Sequence, residues 1–120
     1  MSWLFVFVGG GLGSLARFGI GFLFKAWFKV TFPFGTLISN FLACLIIGLI
    51  LMLVQRGTRA EWIDQLIVIG FCGGLSTFST FSNENLQLIQ SGNYWIAIAN
   101  LVISVGSGIA IIYILSTIKA

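Results

Sequence analysis

The sequence has no histidine, one proline and little charge, with six basic and three acidic residues among 120. Each shortage excludes a class of function. Without histidine, the commonest general base and metal ligand is missing. No paired carboxylates and no nucleophile beside a base can be picked out, so no enzyme is expected. A soluble domain carries about 25% charged residues. Here the figure is 8%, beside 58% hydrophobic residues and a mean hydropathy of +1.09. The chain therefore reads as an integral membrane protein. Its basic residues are scattered, and the net charge of +3 gives no run that would support nucleic-acid binding. Cys44 and Cys72 lie in separate apolar segments without metal-ligand spacing, and read as buried thiols. Residues 1–8 have no charged n-region and no cleavage signature, so the first apolar segment is expected to stay as a helix.

What is present is apolar length. A membrane span needs about 20 residues, and four runs supply it: 3–24, 34–54, 62–90 and 94–118. The connections at 25–33, 55–61 and 91–93 are short. The expectation is an all-α membrane protein, a single four-helix transmembrane domain over residues 1–120, with no internal repeat. Helix 1 is rich in glycine, which lets another backbone approach closely. It also holds Arg17, for which two readings are open. One is an interfacial anchor that snorkels; the other is a cation facing a water-filled entrance and drawing anions inward. Helix 2 carries Asn40, either interhelical glue or a neutral NH₂ donor to an anion. Thr36, Ser39 and Asn40 are three to four residues apart and share a face. In helix 4, Asn100, Ser104 and Ser107 form a second polar stripe, either for packing or for a path.

The most unusual stretch is 73–81, Gly-Gly-Leu-Ser-Thr-Phe-Ser-Thr-Phe, inside the third apolar run. Adjacent glycines, each costing about 1 kcal/mol of helix propensity, favour an opened backbone there, giving a break in helix 3. Four hydroxyls follow within five residues (Ser76, Thr77, Ser79, Thr80), and Phe78 and Phe81 stand three apart. Within a bilayer, freed backbone groups must be satisfied internally or line a cavity. The segment reads as a site, the alternative being a kink packed by small residues. Glu84, further along, is expected near the far interface, where exposure is the default.

Charge gives little instruction on orientation. Arg56, Arg59 and Lys119 fall on one side, and Lys25, Lys29 and a snorkelling Arg17 on the other. Such balance suits dual topology, with two oppositely oriented copies pairing as a homodimer. No carboxylate lies in the middle of helices 1, 2 or 4, whereas cation transporters commonly embed one. The deep charge is positive, which favours an anion. Phenyl rings have a positive edge, so Phe78 and Phe81 edges can hold a small anion weakly, as conduction requires. Hydroxyls of Ser79 and Thr80 and the Asn40 amide can replace hydration. Carbonyls freed at Gly73 and Ser76 are oxygen ligands for a hard cation.

Three motifs carry a resemblance: Gly10-Gly11-Leu12-Gly13-Ser14-Leu15-Ala16-Arg17-Phe18, Gly35-Thr36-Leu37-Ile38-Ser39-Asn40, and the run from Gly70 to Glu84 containing Gly73-Gly74-Leu75-Ser76-Thr77-Phe78-Ser79-Thr80-Phe81. The chain resembles, over essentially its whole length, the Fluc (CrcB) family of fluoride channels. The resemblance implies a dual-topology antiparallel homodimer in the inner (plasma) membrane of a microorganism. It implies two fluoride pores that give passive export of toxic fluoride. Phe78 and Phe81 would line the pores, with Asn40 a pore-side donor, Arg17 in the vestibule, and Ser104 and Ser107 on the helix 4 stripe. Gly73 and Ser76 carbonyls would hold a structural sodium ion (Na⁺) at the subunit interface, and no organic cofactor is implied. Ala43 stands where the family often has glycine, and Ser76 where threonine is frequent; a backbone-carbonyl role survives the second change. Two other classes compete. A small dual-topology multidrug transporter would need an embedded acid in helix 1, where this chain has Arg17. A structural membrane subunit would use its glycines and hydroxyls for assembly alone.

Overall fold

The computed structural model describes residues 1–55, 57 and 59–119; Arg56, counted above for orientation, lies outside the described residues. Helix α1 is Ser2–Trp27 and α2 is Phe34–Val54. Helix α3 covers residues 61–75, α4 is Phe78–Gln90 and α5 is Tyr94–Thr117. No strand occurs among the described residues. Counting residues 61–90 as one span, four helices are long and apolar enough to cross a membrane. They form a body of 49 × 31 × 23 Å.

Helix α1 lies against α3, and α2 against α5. The α1–α3 contact depends on backbone approach. A Cβ at Gly13 would collide with the Phe71 carbonyl, and one at Gly74 with the Gly10 carbonyl. Glycine at both positions lets the two helices meet backbone to backbone. The middle of α3 is wound unusually. Asp64–Cys72 is π-helical, between short α segments Glu61–Ile63 and Gly73–Leu75. Gly9 sits between Leu66 and Phe71, five apart, which is the spacing of an i→i+5 turn. Gly13 sits between Phe71 and Leu75, four apart, where ordinary α-winding has resumed. Nothing in hydropathy distinguishes the two windings, so the sequence carries no sign of this stretch.

The buried centre is small: Ala43, Cys72 and Leu75, with Ile20, Leu42, Ile46 and Phe71 packed around them. Ala43 is 1% exposed, so its methyl group is fully packed at this centre. Most large apolar side chains face outward, Trp3, Phe18, Trp95 and Tyr113 among them. In a bilayer these faces meet lipid tails, and helix association rests on close packing and polar contacts rather than on hydrophobic burial. At the ends, Arg59 pairs with Asp64, and the Gln55 amide donates to the Ser116 carbonyl, tying α2 to α5.

Candidate functional site

Between α3 and α4 the chain leaves helical geometry for two residues, Ser76 (φ −80°, ψ 155°) and Thr77 (φ −153°, ψ 120°). The glycine pair is not where the backbone opens. Gly73 and Gly74 are helical, and Gly74 serves the contact with α1. The Ser76 N–H still reaches the Cys72 carbonyl at 2.9 Å, and what holds Thr77 is a side chain 37 residues away in sequence. Asn40 Oδ1 accepts from the Thr77 N–H at 2.7 Å, and Asn40 Nδ2 donates to the Thr77 carbonyl at 3.3 Å. The carboxamide thus presents to Thr77 the donor and acceptor that a neighbouring strand would. Thr77 then starts α4: its Oγ1 accepts from the Thr80 N–H at 3.2 Å, an N-cap. The Thr80 hydroxyl lies 3.0 Å and the Ser79 hydroxyl 3.3 Å from the same oxygen.

This Asn40–Thr77 clamp separates two hollows, and Thr77 borders both. On one side is a cavity of about 500 Å³, walled by Ser14, Arg17, Lys25, Ser39, Thr80 and Glu84 among others. A smaller one of about 210 Å³ adjoins it and shares Lys25, Thr36 and Glu84. Aromatic rings crowd that end, with Phe24 stacked on Phe28 at 5.5 Å and Phe32 beside Phe34 at 4.7 Å. Arg17 is both tethered and cavity-facing: its Nε donates to the Gly74 carbonyl at 3.0 Å, and the residue remains part of the wall. Two cations and one carboxylate, Arg17, Lys25 and Glu84, leave this cavity formally positive.

On the other side is a cleft of about 270 Å³ bounded by Asn40, Cys44, Ser76, Phe78, Phe81 and Ser104. The two rings are 6.3 Å apart and inclined at 41°. They differ in surroundings: Phe81 is 8% exposed, Phe78 81%. Behind Phe81 runs a polar chain. Asn85 Nδ2 donates to the Phe81 carbonyl at 3.0 Å, Asn100 Nδ2 to Asn85 Oδ1 at 3.3 Å, and Ser104 Oγ to Asn100 Oδ1 at 3.1 Å. Asn100 is almost wholly enclosed. The chain fixes α4 against α5 and holds Ser104 at the cleft.

Of the residues singled out from sequence, Asn40, Phe78, Phe81 and Ser104 meet at the cleft. Thr80 faces the opposite hollow, with Arg17. Ser79 is on the surface, and Ser107 turns its hydroxyl back to the Ser104 carbonyl at 3.5 Å. At Gly73 the carbonyl lacks its helical donor, because the Thr77 N–H is taken by Asn40; Ser76 Oγ bonds the Cys72 carbonyl at 2.8 Å. Carbonyl oxygens of this kind suit a hard cation. Among the described residues no cluster of His, Cys, Asp or Glu could hold a metal.

Glu84 departs from expectation. Rather than standing free at an interface, it is half-buried. Its Oε1 accepts from Thr36 Oγ1 at 2.7 Å, and its Oε2 is buried without a partner. The 48-residue separation of that pair hides it from any local pattern.

The comparisons with known proteins converge. Residues 4–115 match the family described as CrcB-like protein, Camphor Resistance (CrcB). A protein of Shewanella halifaxensis named "Fluoride-specific ion channel FluC" is 41% identical over 111 residues, covering 92% of this chain and 90% of that one. One of Flavobacterium psychrophilum with the same name is 37% identical over 106 residues, 88% and 86% of the two chains. One of Coxiella burnetii, also so named, is 38% identical over 113 residues, 92% and 90%. With the match running from α1 into the last turn of α5, the chain belongs to the CrcB family.

Proposed function

We propose that this chain is a fluoride-selective channel of the plasma membrane, passing fluoride out of the cytoplasm down its gradient and so lowering its toxicity. It catalyses no reaction and takes no organic cofactor. The observation that carries the reading is the Asn40–Thr77 clamp. It sits at the meeting point of a cation-bearing cavity and a phenyl-edged cleft, in a chain whose relatives are named for fluoride.

Fluoride is small and strongly hydrated, so its path must offer close donors in place of water. Arg17 and Lys25 in its wall attract it to the cavity. The hydroxyl of Thr80 and the second amide hydrogen of Asn40 replace hydration. Beyond the clamp the positive edges of Phe78 and Phe81 accept the ion. None of these groups beyond the cavity is charged, so the ion is held weakly enough to leave. The exposed ring of Phe78 is unfinished in one subunit. In this reading a second, oppositely oriented copy covers it, each of two pores using rings from both subunits. The near-equal distribution of basic residues supports that antiparallel pairing. The break between α3 and α4 serves the dimer as well. Carbonyls of Gly73 and Ser76 from both copies would hold a structural sodium ion, which supplies a fixed positive charge at the helix ends and pins the subunits.

The test is fluoride efflux from liposomes holding the purified protein, read with a fluoride electrode against a chloride control. Fluoride release well above protein-free vesicles, without matching chloride release, is expected. Vesicles that remain fluoride-tight would defeat the reading.

A further inference from the structure

Helix α1 turns one face to the larger cavity. Ser14, Arg17, Phe18, Gly21 and Lys25 all wall it, at the three- and four-residue spacing of a single helical face. Gly21 stands in the middle of that face, four residues from each cation. At 1.5 Å per residue, Arg17 and Lys25 are about 6 Å along the axis on either side of it. Gly21 also borders the smaller hollow beside residues 28–34, so the two spaces meet at Gly21, Lys25, Gly35, Thr36 and Glu84.

The two glycines at this junction serve different ends. A Cβ at Gly35 would meet the Gly21 Cα at 3.1 Å, so Gly35 lets α2 come close to α1. A Cβ at Gly21 would meet nothing within 4 Å. The approach of the two helices therefore does not require glycine at position 21. A side chain there would extend into the junction, on the face it shares with Arg17 and Lys25. What its absence preserves is open space between the two hollows, beside two positive charges.

Building on the fluoride-channel reading, we infer that Gly21 is the neck of the anion's route into the larger cavity. Fluoride crosses from the smaller hollow over the bare helix surface at Gly21, passing from the neighbourhood of Lys25 to that of Arg17. The missing side chain sets the width of the passage, and the cations one turn to either side draw the anion through it.

The test substitutes Gly21 in the full chain and reads fluoride release from liposomes. Gly21→Leu should lose most of the flux, while elution and thermal stability in detergent stay those of the parent. Gly19→Leu is the control. A Cβ there also meets nothing within 4 Å, but a residue two positions away lies on another face, so its flux should match the parent's. Gly21→Asn and Gly21→Asp separate passage from packing, because the new side chains are equal in size. Packing favours Gly21→Asp, which gains charge pairs with Arg17 and Lys25 four residues away. Passage favours Gly21→Asn: a negative charge about 6 Å from a crossing anion lowers its occupancy about threefold even when screened as in bulk water, so Gly21→Asp should conduct at least that much less. Parental flux in Gly21→Leu would overturn the assignment. So would equal flux in Gly21→Asn and Gly21→Asp, or a Gly21→Leu chain that no longer elutes as the parent does, each of which assigns the position to packing. A parent that conducts no fluoride would instead defeat the channel reading.

Discussion

Replacing Asn40 with alanine removes both partners of the Thr77 peptide group at once. The two bonds are unequal. The N–H contact at 2.7 Å is short, whereas the amide-to-carbonyl contact at 3.3 Å lies beyond the usual range for such bonds. Thr77 also borders the larger cavity, where water can reach its carbonyl. The orphaned N–H is the costly group, and leaving it unpaired costs about 1–3 kcal/mol. Side-chain bonds between membrane helices average only about 0.6 kcal/mol, because the lost partner finds another. Here the acceptor serves an extended backbone whose N–H can reach the Gly73 carbonyl only by rewinding residues 76 and 77, so a figure well above that average applies. Asn40→Ala should therefore lower stability by about 2 kcal/mol in reversible unfolding in detergent, and abolish fluoride flux. Asn40→Asp is the companion. It keeps an acceptor for the Thr77 N–H but sets a carboxylate against the Thr77 carbonyl and across the path. It should lose less stability than alanine yet conduct no better. An Asn40→Ala variant with parental stability and parental flux would refute both the clamp and its place in the path.

The rings should be separable from assembly. Phe78→Ile or Phe81→Ile keeps most of the bulk and loses the aromatic edge, so fluoride release should drop sharply while elution in detergent stays that of the parent. Gly74→Ala should prevent folding, because its methyl group meets the Gly10 carbonyl, while Gly11→Ala, with open space around it, should be silent; expression and monodispersity in detergent check both. If sodium is held structurally as proposed, exchanging it for a large organic cation should weaken fluoride flux, and sodium gradients should leave the reversal potential unmoved.

The four spans were legible because apolar length is a local property. Helix α2 falls at the expected 34–54, and α5 ends one residue short of the expected 118. Helix α1 runs three residues past Phe24 to Trp27, since Lys25 suits a helix C-terminus and Trp27 an interface. The site was legible in composition but not in wiring. Propensity pointed to Gly73 and Gly74 as the opening, yet packing against α1 keeps them helical, and Asn40 moves the extension to Ser76 and Thr77. Glu84 was read from its position in the run; its bond to Thr36 depends on how α2 and α4 meet. The π-helical turn left no trace in residue type at all. Asn100 was visible as one of a stripe, but its enclosure between Asn85 and Ser104 is a tertiary fact.

The borrowed peptide partner at Asn40 has a mechanical consequence. Two extended residues in a bilayer would ordinarily be the softest point of a span, free to shear when lipid thickness changes and helices tilt. Here the Thr77 backbone is stitched to α2, while the Ser76 N–H stays on the Cys72 carbonyl. A tilt of α2 carries Thr77 along with it, so the extended stretch keeps its shape while the helix ends around it adjust to the membrane.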